Sequence, residues 1–234
     1  LPPWPRPRPT SMRLAARGLA RDTAALTALA GALPAGRGDA SWLARLADRL
    51  VPAGGWVEHP ATWLVAADLS TGARIAFGSP GAPRISLGDA LRASWAVPGW
   101  FPPVVTGGLR LADGGIVSTA SADLLLPRPP REVLVFAPMA SAQPGRRTGL
   151  GRIEQQLRRV MTRGLDAEVD ALRAAGSRVI RVEPGPEDLA AMGAYLMDRR
   201  RRRRVLDTSL RTSTATLRQI VAASNDGTDE GALA

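Results

Sequence analysis

The stretch LRLADGGIVSTAS, residues 109–121, joins an apolar, strand-like run to an abrupt polar end. The run stops at Asp113, and Gly114 and Gly115 leave the next two positions without side chains. Reactive groups of α/β proteins collect at the carboxyl ends of strands, where a carboxylate can take a proton from a nucleophile. Asp-Gly is also among the commonest turn dipeptides. The tripeptide alone therefore leaves a turn and a catalytic base both open.

The sequence on either side of this stretch predicts alternating strands and helices. Residues 61–70 are a nearly continuous apolar run that predicts a buried strand, and residues 73–78 should pair with it as a hairpin. Ser86 is placed to cap a helix that ends before Pro98. Short extended pieces should flank a turn at Gly107 and Gly108.

Further elements are predicted towards both ends of the chain. The apolar spacing and the stop signals place helices over residues 11–30, 41–51, 121–126, 151–176, 186–193 and 198–224, and strands over residues 131–139 and 178–185. Residues 131–139 read as the clearest buried strand. The alternation after residue 60 predicts an α/β fold with a mostly parallel sheet.

A longer pattern precedes Asp113 and is far more specific than the tripeptide. The segment ALRASWAVPGWFPPV, residues 90–104, is followed by a short hairpin and then by DGG at 113–115. This arrangement resembles the patatin-like phospholipase family, in which a helix reading A-S-x-A-x-P-x-x-F-x-P leads to D-G-G or D-G-A. The matching positions are Ala93, Ser94, Ala96, Pro98, Phe101 and Pro103. Together with a C-terminal region similar to bacterial members, the resemblance covers roughly residues 60–215.

The resemblance implies a fold and a chemistry. Patatin-like enzymes hydrolyse acyl esters of lipids with a Ser–Asp dyad on a three-layer α/β/α domain, and they need neither a cofactor nor a metal. Their serine lies in G-x-S-x-G on a strand-to-helix elbow, and a glycine-rich loop forms the oxyanion hole. By resemblance, Asp113 is the base of the dyad, and Gly114 and Gly115 complete its motif and make room for the elbow.

The chain contains neither G-x-S-x-G nor a glycine-rich oxyanion loop. Two interpretations stay open: a fragment of a complete enzyme, which we favour, and a naturally truncated member. In both we expect no ester hydrolysis by these residues alone and an aggregated or partly unfolded state. The predicted organisation is a Pro-rich linker at 1–10, an incomplete patatin-like domain at 11–224 and a flexible tail at 225–234.

The charge of the chain suggests a rival function. The net charge is +10, every basic residue is arginine, and Arg199–Arg204 is an unbroken run of them. The rival is a non-enzymatic basic module that binds an anionic membrane or nucleic acid. We interpret the run as a solvated or ion-paired helix start, so nucleic acid is disfavoured as a partner. Peripheral contact with an anionic membrane stays open for an otherwise cytoplasmic protein.

Several single residues are further candidates for a catalytic, metal-binding or lipid-contacting role. Ser94 lies within a predicted helix rather than on an elbow, and His59 is the only histidine, which cannot build a metal site alone. Asp68 ends a predicted strand, where we favour a turn role. The chain has no cysteine, which excludes disulfides and thiolate chemistry, and no run approaches the ~18 apolar residues of a membrane span. Residues considered for contacts with acyl chains or a lipid-facing rim are Trp95, Trp100, Phe101, Met192, Tyr195, Leu196 and Met197.

Overall fold

The computed structural model describes residues 10–12, 31–52, 54–59, 61–141, 151–193 and 198–229. Most of the helix predicted over 11–30, nearly all of the Pro-rich segment, and Tyr195, Leu196 and Met197 lie outside these ranges. The chain divides into two compact units, Leu1–Ser121 and Ala122–Ala234.

The first unit is built on a four-stranded antiparallel sheet with the order β2-β1-β4-β3. Its strands are β1 (Leu64–Asp68), β2 (Arg74–Phe77), β3 (Val104–Thr106) and β4 (Leu109–Asp113). The predicted hairpin of β1 and β2 and the turn between β3 and β4 are confirmed. Both turns contain glycines with positive φ, at Gly72 in the first and at Gly107 and Gly108 in the second.

Two helices, α1 (Ser41–Leu50) and α2 (Leu87–Ser94), belong to the same unit. The Ser86 hydroxyl accepts a hydrogen bond from Asp89 N at 3.0 Å, which confirms the predicted cap. A Cβ atom at Gly88 would lie 3.1 Å from Ala44 Cα, so the two helices pack closely at this position. The core beneath α2 is made of small and aliphatic side chains and one aromatic ring: Ala66, Phe77, Ala90, Ala93, Ala96, Val104 and Leu111.

The second unit contains the parallel pair β5 (Glu132–Phe136) and β6 (Arg178–Val182), connected through helix α3 (Gly151–Ala174). Helix α4 (Pro186–Met192) and the long helix α5 (Arg202–Asp229) follow. Strand β5 alternates between buried and exposed residues, so it is half-buried rather than buried as predicted. Helix α5 extends to Asp229, beyond the start of the tail predicted at residue 225.

The mixed α/β class is confirmed, whereas the predicted predominance of parallel strands is wrong for the larger sheet. The connections explain the difference. A parallel pair needs a crossover of about a dozen residues or more, and the tight turns after β1 and β3 leave only antiparallel pairing. Only β5 and β6 are joined by such a crossover among the described strands. The three-layer arrangement stays a prediction.

Candidate active site

Asp113 is the last residue of β4, an inner strand of the four-stranded sheet. It lies opposite Ala66 of β1 in the antiparallel register. Its backbone N–H donates to Ala96 O at 3.1 Å, which attaches the chain after α2 to the end of the strand. The position of Asp113 is therefore fixed by backbone contacts on two sides.

The carboxylate of Asp113 is held by the turn that follows it. Its Oδ1 accepts a hydrogen bond from Gly115 N at 2.8 Å, which caps the short 3-10 helix Gly114–Ile116. Burial raises the pKa of Asp113 above its ordinary value, and the hydrogen bond from Gly115 opposes this only in part. A carboxylate with a raised pKa is a stronger base than one in water, as proton abstraction requires.

Gly114 and Gly115 each have a local reason to lack a side chain. A Cβ atom at Gly114 would lie 2.9 Å from both Cγ1 and the carbonyl oxygen of Val65 in β1. A Cβ atom at Gly115 would lie 3.1 Å from Oδ1 of Asp113, the oxygen that its own N–H binds. Gly114 thus allows the turn to pack against β1, and Gly115 leaves room for the Asp113 carboxylate that its N–H binds. Their predicted part in admitting a serine elbow stays a prediction.

The segment that matches the family pattern lies directly beside Asp113. Ala93 and Ala96 are almost completely buried, and Pro98 is buried as well. Small side chains at 93 and 96 allow the end of α2 to approach β4 closely enough for the hydrogen bond between Ala96 O and Asp113 N. The matching segment therefore includes Ala96, the residue whose carbonyl oxygen binds Asp113 N.

A close approach that the sequence analysis missed joins residues 36–38 to the same segment. Gly38 N donates to Trp100 O at 2.8 Å, and a Cβ atom at Gly36 would lie 2.0 Å from the carbonyl carbon of Trp100. Any side chain at Gly36 would displace the backbone before Phe101. The G-x-G spacing in PAGRGD, residues 34–39, was the available signal, because glycines recur where two backbones meet.

Asp68, the other strand-end aspartate of the sheet, has a different environment. Its carboxylate accepts hydrogen bonds from Ser70 N, from the Ser70 hydroxyl and from the Thr71 hydroxyl, at 2.7–2.9 Å. Burial raises the pKa of Asp68, but these hydrogen bonds outweigh burial and hold the pKa below its ordinary value. Asp68 organises the hairpin turn, as the sequence suggested, and is the weaker base of the two.

Ser94 and His59, the other single candidates from the sequence, do not have a catalytic arrangement around them among the described residues. Ser94 is the final residue of the regular helix α2, which is not the strained turn that presents a nucleophilic serine. His59 is exposed, and its Nδ1 faces Ala61 N at 3.4 Å. Within the described ranges, no three residues of His, Asp or Glu cluster in a way that could hold a metal ion.

The arginine run lies in the second unit and begins a helix. Arg201 donates to the carbonyl oxygens of Ala190 and Ala191 at the end of α4 and pairs with Asp198 at 3.5 Å. The other five arginines of the run are exposed. The run therefore begins a helix, as predicted, with one ion-paired arginine and five exposed arginines. Met192, considered for a lipid-facing rim, instead accepts a weak hydrogen bond from buried Arg158 through its sulfur at 3.7 Å.

The second unit also contains an open concavity of about 650 Å³. Its basic lining comes from Arg159, Arg163 and Arg181. Arg181 donates to two carboxylates, to that of Asp166 at 2.6 Å and to that of Glu183. The carboxylates of Asp166 and Glu183 offset much of the positive charge of the three arginines that line the concavity.

Comparison with known proteins agrees with the geometry of the first unit. Residues 26–126 match the family model described as patatin-like phospholipase, and this range contains Asp113, both glycines and the segment 93–103. A search of curated proteins found no match to the chain. Within the described ranges, no helix combines the length and apolar character that crossing a bilayer requires. The resemblance drawn from the sequence is thus confirmed over residues 26–126, which are similar to the patatin-like phospholipase domain.

Proposed function

We propose that this chain forms part of a lipid acyl hydrolase in which Asp113 is the base of a Ser–Asp dyad. The match to the patatin-like phospholipase family indicates lipid acyl hydrolysis at the level of the family. The observation that supports the role of Asp113 is its carboxylate at a strand end, within the matched range, with its pKa raised by burial.

We assign the two carboxylate oxygens different tasks, because only one of them accepts the hydrogen bond from Gly115 N. Oδ1 is held by Gly115 N, so we assign proton transfer to Oδ2. A serine hydroxyl attacks the acyl carbonyl carbon and gives its proton to Oδ2. When the tetrahedral intermediate collapses, the ester C–O bond breaks and Oδ2 returns the proton to the departing alkoxide. Water then repeats the two transfers on the acyl-serine, releasing the carboxylic acid.

The serine and the oxyanion loop would come from a segment outside these 234 residues, because the chain contains neither motif. The three-layer α/β/α arrangement belongs to the same proposal. Without a nucleophile and without oxyanion stabilisation, the chain alone should hydrolyse esters no faster than the background reaction.

Two measurements test this proposal. The reading frame that precedes the codon of Leu1 should encode G-x-S-x-G, and the protein from the complete frame should release fatty acid from lipid vesicles. The 234-residue chain, assayed in parallel, should release none. A complete frame without the serine motif, or hydrolysis by the chain alone at a comparable rate, would contradict the proposal.

A second candidate function is a basic binding module, favoured by the exposed arginines of the run Arg199–Arg204. It predicts affinity for anionic vesicles or nucleic acid that falls steeply with added salt. Substituting Arg203 and Arg204 by glutamine should then weaken binding while fatty-acid release by the complete protein is unaffected. Binding that ignores both the salt concentration and these substitutions would remove this candidate.

A further inference from the structure

Helix α1 carries an apolar row that faces away from its own core. Leu43 and Ala47 are buried, whereas Trp42, Leu46 and Leu50 are 46%, 41% and 65% exposed. The three exposed residues are spaced by four, so they form one stripe beside the buried face. The first unit therefore buries one apolar face of α1 and leaves the other exposed.

A second tryptophan extends this stripe. Trp95, at the end of α2, is 44% exposed and meets Trp42 edge to face, with ring centroids 6.2 Å apart. Trp95 also packs on Phe101 at 6.5 Å, which holds its ring in place. We refer to Trp42, Leu46, Leu50 and Trp95 together as the Trp42 patch.

The charges of α1 are arranged on one side of this patch. Arg45 and Arg49 are exposed, and at ~100° per residue both lie next to the apolar stripe on the helical wheel. Asp48 lies on the far side of the helix from the stripe by the same count. Arg45 is steadied by its hydrogen bond to the Ser41 hydroxyl at 2.7 Å. The same hydroxyl donates to the Asp39 carboxylate at 2.8 Å, so the border of the apolar stripe carries two arginines and one nearby carboxylate and has a net positive charge.

We propose that the Trp42 patch is the surface by which this protein docks on an anionic lipid bilayer. Exposed tryptophans and leucines with an adjacent row of arginines are what an interfacial helix presents to headgroups and acyl chains. The arginine border complements anionic headgroups. Trp95 of the patch also directly precedes Ala96, whose carbonyl oxygen accepts the hydrogen bond from Asp113 N.

Docking here would bring the lipid surface to the segment whose Ala96 contacts Asp113. In that respect the inference rests on the proposed lipid hydrolase. The docking surface itself is tested separately, by binding measurements that need no turnover.

The test is vesicle flotation with the protein of the complete reading frame, in which bound protein rises with the lipid and aggregated protein does not. Vesicles of phosphatidylcholine with phosphatidylserine should carry the protein upwards. Leu50→Asp should weaken binding by at least about tenfold, because it places a charge in the interfacial stripe. Leu210→Asp is the matched control, since Leu210 is 62% exposed on α5 in the other unit, and it should bind as the unsubstituted chain does.

The charge of the border is tested in the same assay. Replacing Arg45 and Arg49 by glutamine should weaken binding more than replacing Arg203 and Arg204, and pure phosphatidylcholine should bind the protein less well. No flotation, equal binding by Leu50→Asp, or an equal loss with Leu210→Asp would overturn the proposal. So would a dimer that Leu50→Asp dissociates while vesicle binding is unchanged. Asp113→Asn should dock normally, so failed docking and failed catalysis are distinguishable.

Discussion

At the scale of single residues, the two strand-end aspartates of one sheet differ in their environments. Asp68 is surrounded by donors, and these hold its pKa low. Asp113 is partly buried with Gly115 N as its principal donor, and its pKa is raised. Both residues follow apolar runs in the sequence, so only their turns distinguish them. Ser70 and Thr71, two and three residues after Asp68, carry hydroxyls, whereas Gly115 and Ile116 at the corresponding positions after Asp113 carry none.

The raised pKa makes a prediction about stability. Because the folded state binds the proton of Asp113 more tightly than the unfolded chain does, stability falls as the pH rises from about 3.9, the ordinary value, to the folded-state pKa. Above that pKa the cost stays constant. Asp113→Asn removes the buried charge while its amide oxygen can still accept from Gly115 N. The variant should therefore be at least as stable as the parent at neutral pH.

Urea denaturation of the protein from the complete reading frame, at neutral pH and near pH 4, measures this effect. The same protein serves for the variants of Gly114, Gly164 and Ser86. The advantage of Asp113→Asn should shrink as the pH falls through the raised pKa. A variant that is less stable than the parent by the same amount at both pH values would show that the carboxylate has no electrostatic cost in the fold.

The close contact of Gly114 with Val65 makes a second residue-scale prediction. Gly114→Ala should lower the free energy of unfolding by about 1–3 kcal/mol, because the new methyl group would overlap the backbone and side chain of β1. Gly164→Ala in α3 is the control, since nothing lies within 4 Å of its Cβ position. That substitution should be neutral or stabilising by up to about 1 kcal/mol. Equal effects of the two variants in thermal denaturation would argue against the packing role of Gly114.

At the scale of elements, α2 matters because its end is attached to Asp113. Ser86→Ala should destabilise the unit by about 1 kcal/mol, since Asp89 N loses its side-chain acceptor. Ser86→Asp restores an acceptor at the same position and should recover most of the loss. A Ser86→Asp variant no more stable than Ser86→Ala in chemical denaturation would show that the cap contributes little.

Local signals predicted most of the elements. The hairpin of β1 and β2, the Ser86 cap and the glycine turn before β4 are each determined by a few neighbouring residues. The pairing of β1 with β4 is not local, and no sequence period records it. The apolar run of β5 predicts a buried strand, yet its Leu134 and Phe136 are exposed. Apolar character alone does not say which face of a strand meets a core.

At the scale of the whole molecule, the spacing of a long motif predicted the family resemblance over residues 26–126, whereas the alternation of elements predicted the wrong strand pairing. Within that motif, the hydrogen bond from Asp113 N to Ala96 O joins the segment after α2 to the end of β4, and the role of Asp113 as base stays a proposal. Local sequence patterns do not predict the contact of Gly36 with Trp100, because it joins residues far apart in the chain. The alternation of strands and helices suggested parallel pairing, although the short turns required antiparallel pairs.

The most direct test of the account measures fatty-acid release from lipid vesicles by the protein of the complete reading frame. Asp113→Asn is compared with Asp68→Asn, which removes the other strand-end carboxylate of the sheet. The account predicts a loss of about 10³-fold or more for Asp113→Asn, with the fold retained, and a rate within a few-fold of the parent for Asp68→Asn. Retained hydrolysis in folded Asp113→Asn protein would contradict it.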